Sequence, residues 1–207
     1  MPILYDSRFS GNGWKVRLLL SQLQRPYERR VLNLAAGDAR TPAFLELNPL
    51  ARIPVLQLDD GSTIRESNAI LFHLASGTSL LPAEPRLQAH LLQWLFFEQA
   101  DHLRYFARPR FLISIARTAA VDDPEVSALR QFGEKALQVM QRQLERAAFI
   151  GGDRYSVADI ALFPYTSMAG EGGYSLDAYP AILAWLDRVR AQPGFVPLLD
   201  PPAPPAG

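Results

Sequence analysis

Apolar and polar positions change their period twice along this chain. Residues 2–5 alternate, as in a short strand with one buried face. Over residues 13–24, Val16, Leu19, Leu20 and Leu23 recur at helical intervals, and Pro26 closes the run. "YERRVLNL" (27–34) reads as a second strand. "TPAFLEL" (41–47) puts Pro42 at a first helical position, where its missing N–H is no loss, and predicts a short helix. "PVLQL" (54–58) and "STIR" (62–65) flank a "DDG" turn and make a hairpin. "ESNAILFHLA" (66–75) returns to helical spacing. The predicted order is β-α-β-α-β-β-α.

After "SGTSLLPAEP" the alternating pattern does not return. Its prolines predict a linker at 77–85. Residues 86–118 form one long helical pattern, with Pro109 as a candidate break. Leu129, Phe132, Ala136, Met140 and Leu144 share one stripe within 124–149. In "YSVADIALFPY" (155–165), Ser156 can cap a helix, Asp159 can reciprocate, and Tyr155 and Ile160 can staple. Ile182, Trp185, Leu186 and Val189 share a face within 180–191. "PPAPPAG" is polyproline-like and is expected to be unpacked. The expected layout is an α/β domain over 1–76, an all-helical domain over 86–198 and a proline-rich tail over 199–207.

Composition narrows the function. Lys plus Arg and Asp plus Glu are 21 each in 207 residues, so no basic excess marks nucleic acid as a partner. No apolar run spans a bilayer and the first residues do not read as a signal peptide, so the expected location is the cytoplasm. Cysteine is absent, which removes disulfides, thiolate metal sites and cysteine nucleophiles. His73, His90 and His102 have no metal-site spacing, and no metal or cofactor is expected.

One stretch carries chemistry. "FSGNGWKVRLLL" (9–20) places Ser10 and Asn12 where the first helix starts. A helix start exposes backbone N–H groups and attracts anions. The same two residues also suit plain capping.

Four stretches together resemble the cytosolic glutathione S-transferase family. They are "SGNGWKVR" (10–17), "NPLARIPVL" (48–56), "ESNAI" (66–70) and "YSVADIAL" (155–162). The site type is that of serine members, with features shared with zeta-like and nu-like bacterial members. The resemblance implies a thioredoxin-like βαβαββα domain plus an all-α helical bundle, with glutathione as co-substrate. Ser10 and Asn12 would stabilise the glutathione thiolate, whose thiol otherwise titrates near 8.5. Ile53 would pair with the cysteinyl backbone through a loop ending in a cis Pro54. Glu66 and Ser67 would hold the γ-glutamyl end, and Arg52 or Lys15 the glycyl carboxylate. Tyr5, a rival activator in other classes, reads as core, and Asp159 as a structural box. His102, Tyr105 and Phe106 would line a second-substrate pocket.

Three functions fit this resemblance. The first is a transferase joining the thiolate to an electrophilic carbon, in the manner of detoxification enzymes. The second is a glutathione-dependent disulfide reductase that needs no protein cysteine, suggested by the Ser10–Asn12 pair. The third is a non-catalytic glutathione-binding protein. An isomerase of the maleylacetoacetate type fits less well, since Asn12 stands where that class usually has cysteine. The resemblance also implies a homodimer. "LLQWLFFEQ" (91–99), apolar nearly all round, agrees with it.

Overall fold

The computed structural model describes residues 1–199 and forms two compact units. The first comprises Met1–Leu74 together with the chain from Gln192 onward, and the second is Ala75–Ala191.

The first unit holds a four-stranded sheet in the order β2-β1-β3-β4. Its strands are β1 (Ile3–Asp6), β2 (Glu28–Val31), β3 (Val55–Gln57) and β4 (Thr63–Arg65). β2 runs parallel to β1, as a β-α-β crossover requires, while β3 is antiparallel to β1 and to β4. The helices are α1 (Gly11–Gln22), α2 (Pro42–Leu47) and α3 (Ser67–Ala75). This is the predicted order; β1 and α1 keep their predicted lengths with shifted ends, and the other elements are shorter than their patterns.

The register has a consequence for function. Tyr5 pairs with Val55, and Val55 with Arg65. The segments 7–10, 48–54 and 66–67 therefore all leave the sheet at one end.

α1 is buried from Gly13 to Leu20, including Lys15 and Arg17. Arg17 is tied to Asp6 at the end of β1, Nε to Oδ2 at 3.0 Å, and Arg29 Nε meets the other carboxylate oxygen at 3.0 Å. Asp6 is fully buried, and that burial pushes its pKa up while the two arginines pull it down. Arg17 also donates through Nη2 to the Leu198 carbonyl at 2.6 Å. Trp14 donates through Nε1 to Val196 at 2.7 Å and meets the Phe195 ring edge-on. The sequence expectation that the helical domain extends to 198 is thus corrected. Residues 192–198 belong with the first unit, held there by α1. The polyproline-like stretch lies outside the described residues.

The helical unit contains α4 (Pro85–Phe97), α5 (Arg104–Arg110), α6 (Pro124–Leu144), α7 (Val157–Ser167) and α8 (Pro180–Arg190). α7 is buried on every side, as its all-round apolar sequence requires. Asp159, at its start, accepts from Ile150 N, Ser156 N, Ser156 Oγ and Trp185 Nε1 at 2.8–3.0 Å. Burial nonetheless pushes its pKa up to about 6. The expected face of α8 is buried as read.

Two helical expectations are corrected. Pro109 does not break its helix. A proline leaves the carbonyl four residues earlier without its usual partner. That carbonyl, of Tyr105, accepts the Tyr174 hydroxyl at 2.6 Å, and π-helical turns at Glu98–Leu103 and Phe111–Ile115 flank α5. On α6 the buried stripe is Val126, Gly133, Ala136, Leu137, Met140 and Leu144, while Phe132 is 49% exposed. Gly133 turns inward because the Tyr174 hydroxyl and ring occupy the space a Cβ there would need.

Candidate functional site

The end of the sheet where the three segments emerge carries the residues that the sequence singled out. Ser10 is the N-cap of α1, extended at φ −76° and ψ 117°, and its Oγ accepts from Gly13 N at 3.0 Å. The cap uses an oxygen lone pair and leaves the hydroxyl hydrogen available for donation. Capping and donation to an anion are therefore compatible at Ser10.

Asn12, in the first turn of α1, accepts from Ser67 Oγ at 3.4 Å. Ser67 is the first residue of α3 and is buried. Lys15, one turn further along α1 and fully buried, donates through Nζ to the same Ser67 Oγ at 3.4 Å. These three side chains make one polar cluster between two helix starts.

The 48–54 segment is organised by buried Asn48. Its Nδ2 donates to Arg52 O at 2.7 Å, its Oδ1 accepts from Leu50 N at 3.1 Å, and its carbonyl accepts from Ala51 N at 2.9 Å. Ala51 is left-handed at φ 53° within this turn. The Ile53–Pro54 peptide bond is cis, as the resemblance implied. Glu66 is exposed and left-handed at φ 68°, and its carbonyl accepts from Ile70 N at 3.0 Å.

Hydrogen bonds thus join Asn12, Lys15 and Ser67, while Ser10, Arg52, Ile53, Pro54 and Glu66 sit on the segments that open at the same sheet end. Arg52 is exposed. Lys15 is placed beside Ser67 on the α3 side of this sheet end. Tyr5 is core, as read. It is 8% exposed, its hydroxyl donates to Gln57 Oε1 at 3.2 Å, and its ring meets Phe44 edge-on.

The expected second-substrate wall needs a larger correction. His102 and Phe106 are 0% and 2% exposed inside the helical unit. His102 stacks on Phe106, Phe106 stacks on Tyr174, and His102 Nε2 is 2.9 Å from Thr166 Oγ1. Their aromatic area is consumed by packing, and neither presents a face to a ligand. Tyr105 is half-buried and stacks on exposed Phe132. Sequence reasoning also missed Asp6 and Arg17, which fix α1 beneath the site. An aspartate closing an apolar strand, with an arginine one helix later, was the available signal. Among the described residues, no cluster of three metal-ligating side chains occurs, and no helix is long and apolar enough to cross a membrane.

A sheet of this topology, with capped α1, a cis-proline turn and a serine opening α3, defines a thioredoxin-like domain, and comparison with known proteins agrees. Residues 9–76 match the glutathione S-transferase N-terminal domain, and residues 94–193 the C-terminal domain. The chain belongs to the glutathione S-transferase family. A glutathione S-transferase from Pseudomonas fluorescens Pf-5 superposes with a TM-score of 0.93 at 46% identity, covering 96% of this chain and 99% of that one. The disulfide-bond oxidoreductase YfcG of Escherichia coli K12 is 31% identical over 198 residues, covering 88% of this chain and 87% of that protein. A second Pseudomonas fluorescens Pf-5 family member, solved with two glutathione bound, superposes with a TM-score of 0.82 at 27% identity, covering 93% and 89%.

Proposed function

We propose that this protein is a glutathione-dependent transferase that binds glutathione at the sheet end formed by 7–10, 48–54 and 66–67. The observation that carries the reading is Ser10 at the N-cap of α1, with its hydroxyl hydrogen left over from the cap. The thiol of glutathione lies against Ser10 and Asn12. Ser10 O–H and Asn12 N–H donate to sulfur, and the start of α1 adds its partial positive charge. Each unit by which the thiol pKa falls requires about 1.4 kcal/mol of preferential thiolate stabilisation. Three such donors supply about one to two units. The thiolate then attacks an electrophilic carbon, forming a C–S bond as the leaving group departs with its electron pair.

The rest of the tripeptide is held without chemistry. The Ile53 backbone pairs with the cysteinyl residue as an added strand would. Ser67 and Glu66 take the γ-glutamyl carboxylate and ammonium, and Arg52 the glycyl carboxylate through its bidentate fork. Tyr105 is the one residue of the expected second-substrate wall still exposed enough to touch a ligand.

A second reading is favoured by the similarity to YfcG and by the Ser10–Asn12 pair. In it, the thiolate attacks a disulfide sulfur and expels one thiolate. A second glutathione then resolves the mixed disulfide, and oxidised glutathione leaves. All electrons come from glutathione, so the absence of cysteine in the chain is no obstacle.

A panel assay decides between them. The transferase reading expects thioether formation from a chloroaromatic. The disulfide reading expects oxidised glutathione from a model disulfide, with no thioether. Binding without either product would leave a glutathione-binding protein. We further propose a homodimer, supported by Phe96 on α4, which is 70% exposed. Light scattering at twice the chain mass is the expected result, and the single-chain mass at full activity would end the proposal.

A further inference from the structure

We infer that Lys15 is a positioning residue of the glutathione site, which holds the Ser67 hydroxyl as a donor and places a fixed positive charge behind the γ-glutamyl carboxylate. The inference rests on the proposed glutathione reading and deepens it.

Its location is the first reason. Lys15 is fully buried on α1, in line with buried Val16, Leu18, Leu19 and Leu20. Burying an ammonium is expensive, and a Met or Leu would fill the same space at less cost.

Hydrogen-bond direction is the second reason. An ammonium has three donors and no acceptor. Towards Lys15, therefore, the Ser67 oxygen must accept, at 3.4 Å. The single Ser67 hydrogen then points away, and its partner is Asn12 Oδ1 at 3.4 Å. With its carbonyl so engaged, Asn12 has its NH2 group to offer. The hydrogens run one way, from Lys15 to Ser67 to Asn12, so Ser67 is held as a donor. A carboxylate accepts only, so this is the polarity that the γ-glutamyl carboxylate needs.

Charge is the third reason. Lys15 sits behind the first residue of α3, a nine-residue helix whose start carries partial positive charge of its own. When a γ-glutamyl carboxylate arrives, the Ser67 hydrogen turns from Asn12 to it, and Lys15 stays behind as the counter-charge.

The test compares Kd by calorimetry for two ligands: glutathione, and γ-aminobutyryl-cysteinyl-glycine, which lacks only the γ-glutamyl carboxylate. The proteins are wild type, Lys15→Met, Ser67→Ala and the double variant. Lys15→Met should weaken glutathione by about tenfold or more, and the carboxylate-free analogue by less than about twofold. In the Ser67→Ala background the Lys15→Met effect on glutathione should shrink, because the two act as one unit. Equal weakening of both ligands, or no weakening of glutathione, would overturn the inference. If Lys15→Met gives no cooperative thermal transition, Lys15→Gln, which keeps a donor without the charge, is judged by the same criteria. A wild type that binds neither ligand would refute the glutathione reading itself and this inference with it; binding by wild type with an unaltered Lys15→Met refutes the inference alone.

Discussion

Gly13 stands so close to Asp6 that a Cβ on it would lie 2.7 Å from the Asp6 Cβ and 2.9 Å from Oδ2. This close approach lets α1 sit against β1 while Arg17 reaches the Asp6 carboxylate. Gly13→Ala should force the helix outward and disturb both the ion pair and the cap that Gly13 N makes with Ser10. Overpacking of this kind costs about 1–3 kcal/mol. Chemical denaturation should show a lower midpoint for Gly13→Ala, and an unchanged midpoint would mean that the helix shifts freely.

Ser10 can be dissected by choice of replacement. Ser10→Ala loses the cap, at about 1 kcal/mol of stability, whereas Ser10→Gly loses only a few tenths. Both lose the hydroxyl hydrogen. If Ser10 donates to the thiolate, both variants should raise the thiol pKa of bound glutathione by about one unit, whatever their stability. Ultraviolet titration of the complex reads this directly, and an unmoved midpoint in Ser10→Gly removes Ser10 from the chemistry.

Asp159 makes stability depend on pH. Burial raises its pKa from 3.8 to about 6 in the folded chain. Between these values the folded state keeps a proton that the unfolded state releases. Its contribution is therefore fully present below about pH 4 and fades as pH rises through about 6, by up to roughly 3 kcal/mol. Asp159→Asn should flatten that slope. It should also lower stability throughout by about 1–3 kcal/mol, because an amide cannot accept all the bonds now made to the carboxylate. Urea titrations at several pH values between 4 and 7 would show both effects, and a wild-type curve flat over that range contradicts the assignment.

Residues 193 onward supply the acceptors for Trp14 and Arg17. A chain ending at Gln192 should leave those buried donors without these partners, at about 1–3 kcal/mol each. The first unit should melt at lower temperature while the helical unit, Ala75–Ala191, keeps its transition. Differential scanning calorimetry distinguishes this from a uniform loss.

The βαβαββα order could be read from the chain because buried faces impose periods of two or of 3.6 residues, and Thr41–Pro42 and Ser156–Asp159 mark helix starts by local chemistry alone. Ser10 and Ser67 were legible as element boundaries for the same reason, whereas the cis bond before Pro54 was implied only by the family resemblance. What was not legible depends on partners distant in sequence. Period alone could not show that Tyr174 would take the space at Gly133 and turn Phe132 outward. Nor could it show that the Tyr174 hydroxyl would satisfy the carbonyl that Pro109 leaves open. His102 and Phe106 have the composition of a ligand wall, and only the stack with Tyr174 reveals them as core. Lys15 reads as a surface cation until its helix is seen to be buried on that side.

The return of residues 195–198 to α1 also bears on the order of events during synthesis. Trp14 and its acceptor Val196 are 182 residues apart, so the whole helical unit leaves the ribosome between them. At roughly 5–20 residues per second, α1 waits on the order of ten seconds or more for its last contacts. The entire helical unit is translated in that interval and is free to fold first. The proposed glutathione site gains this brace only after the whole helical unit has been made.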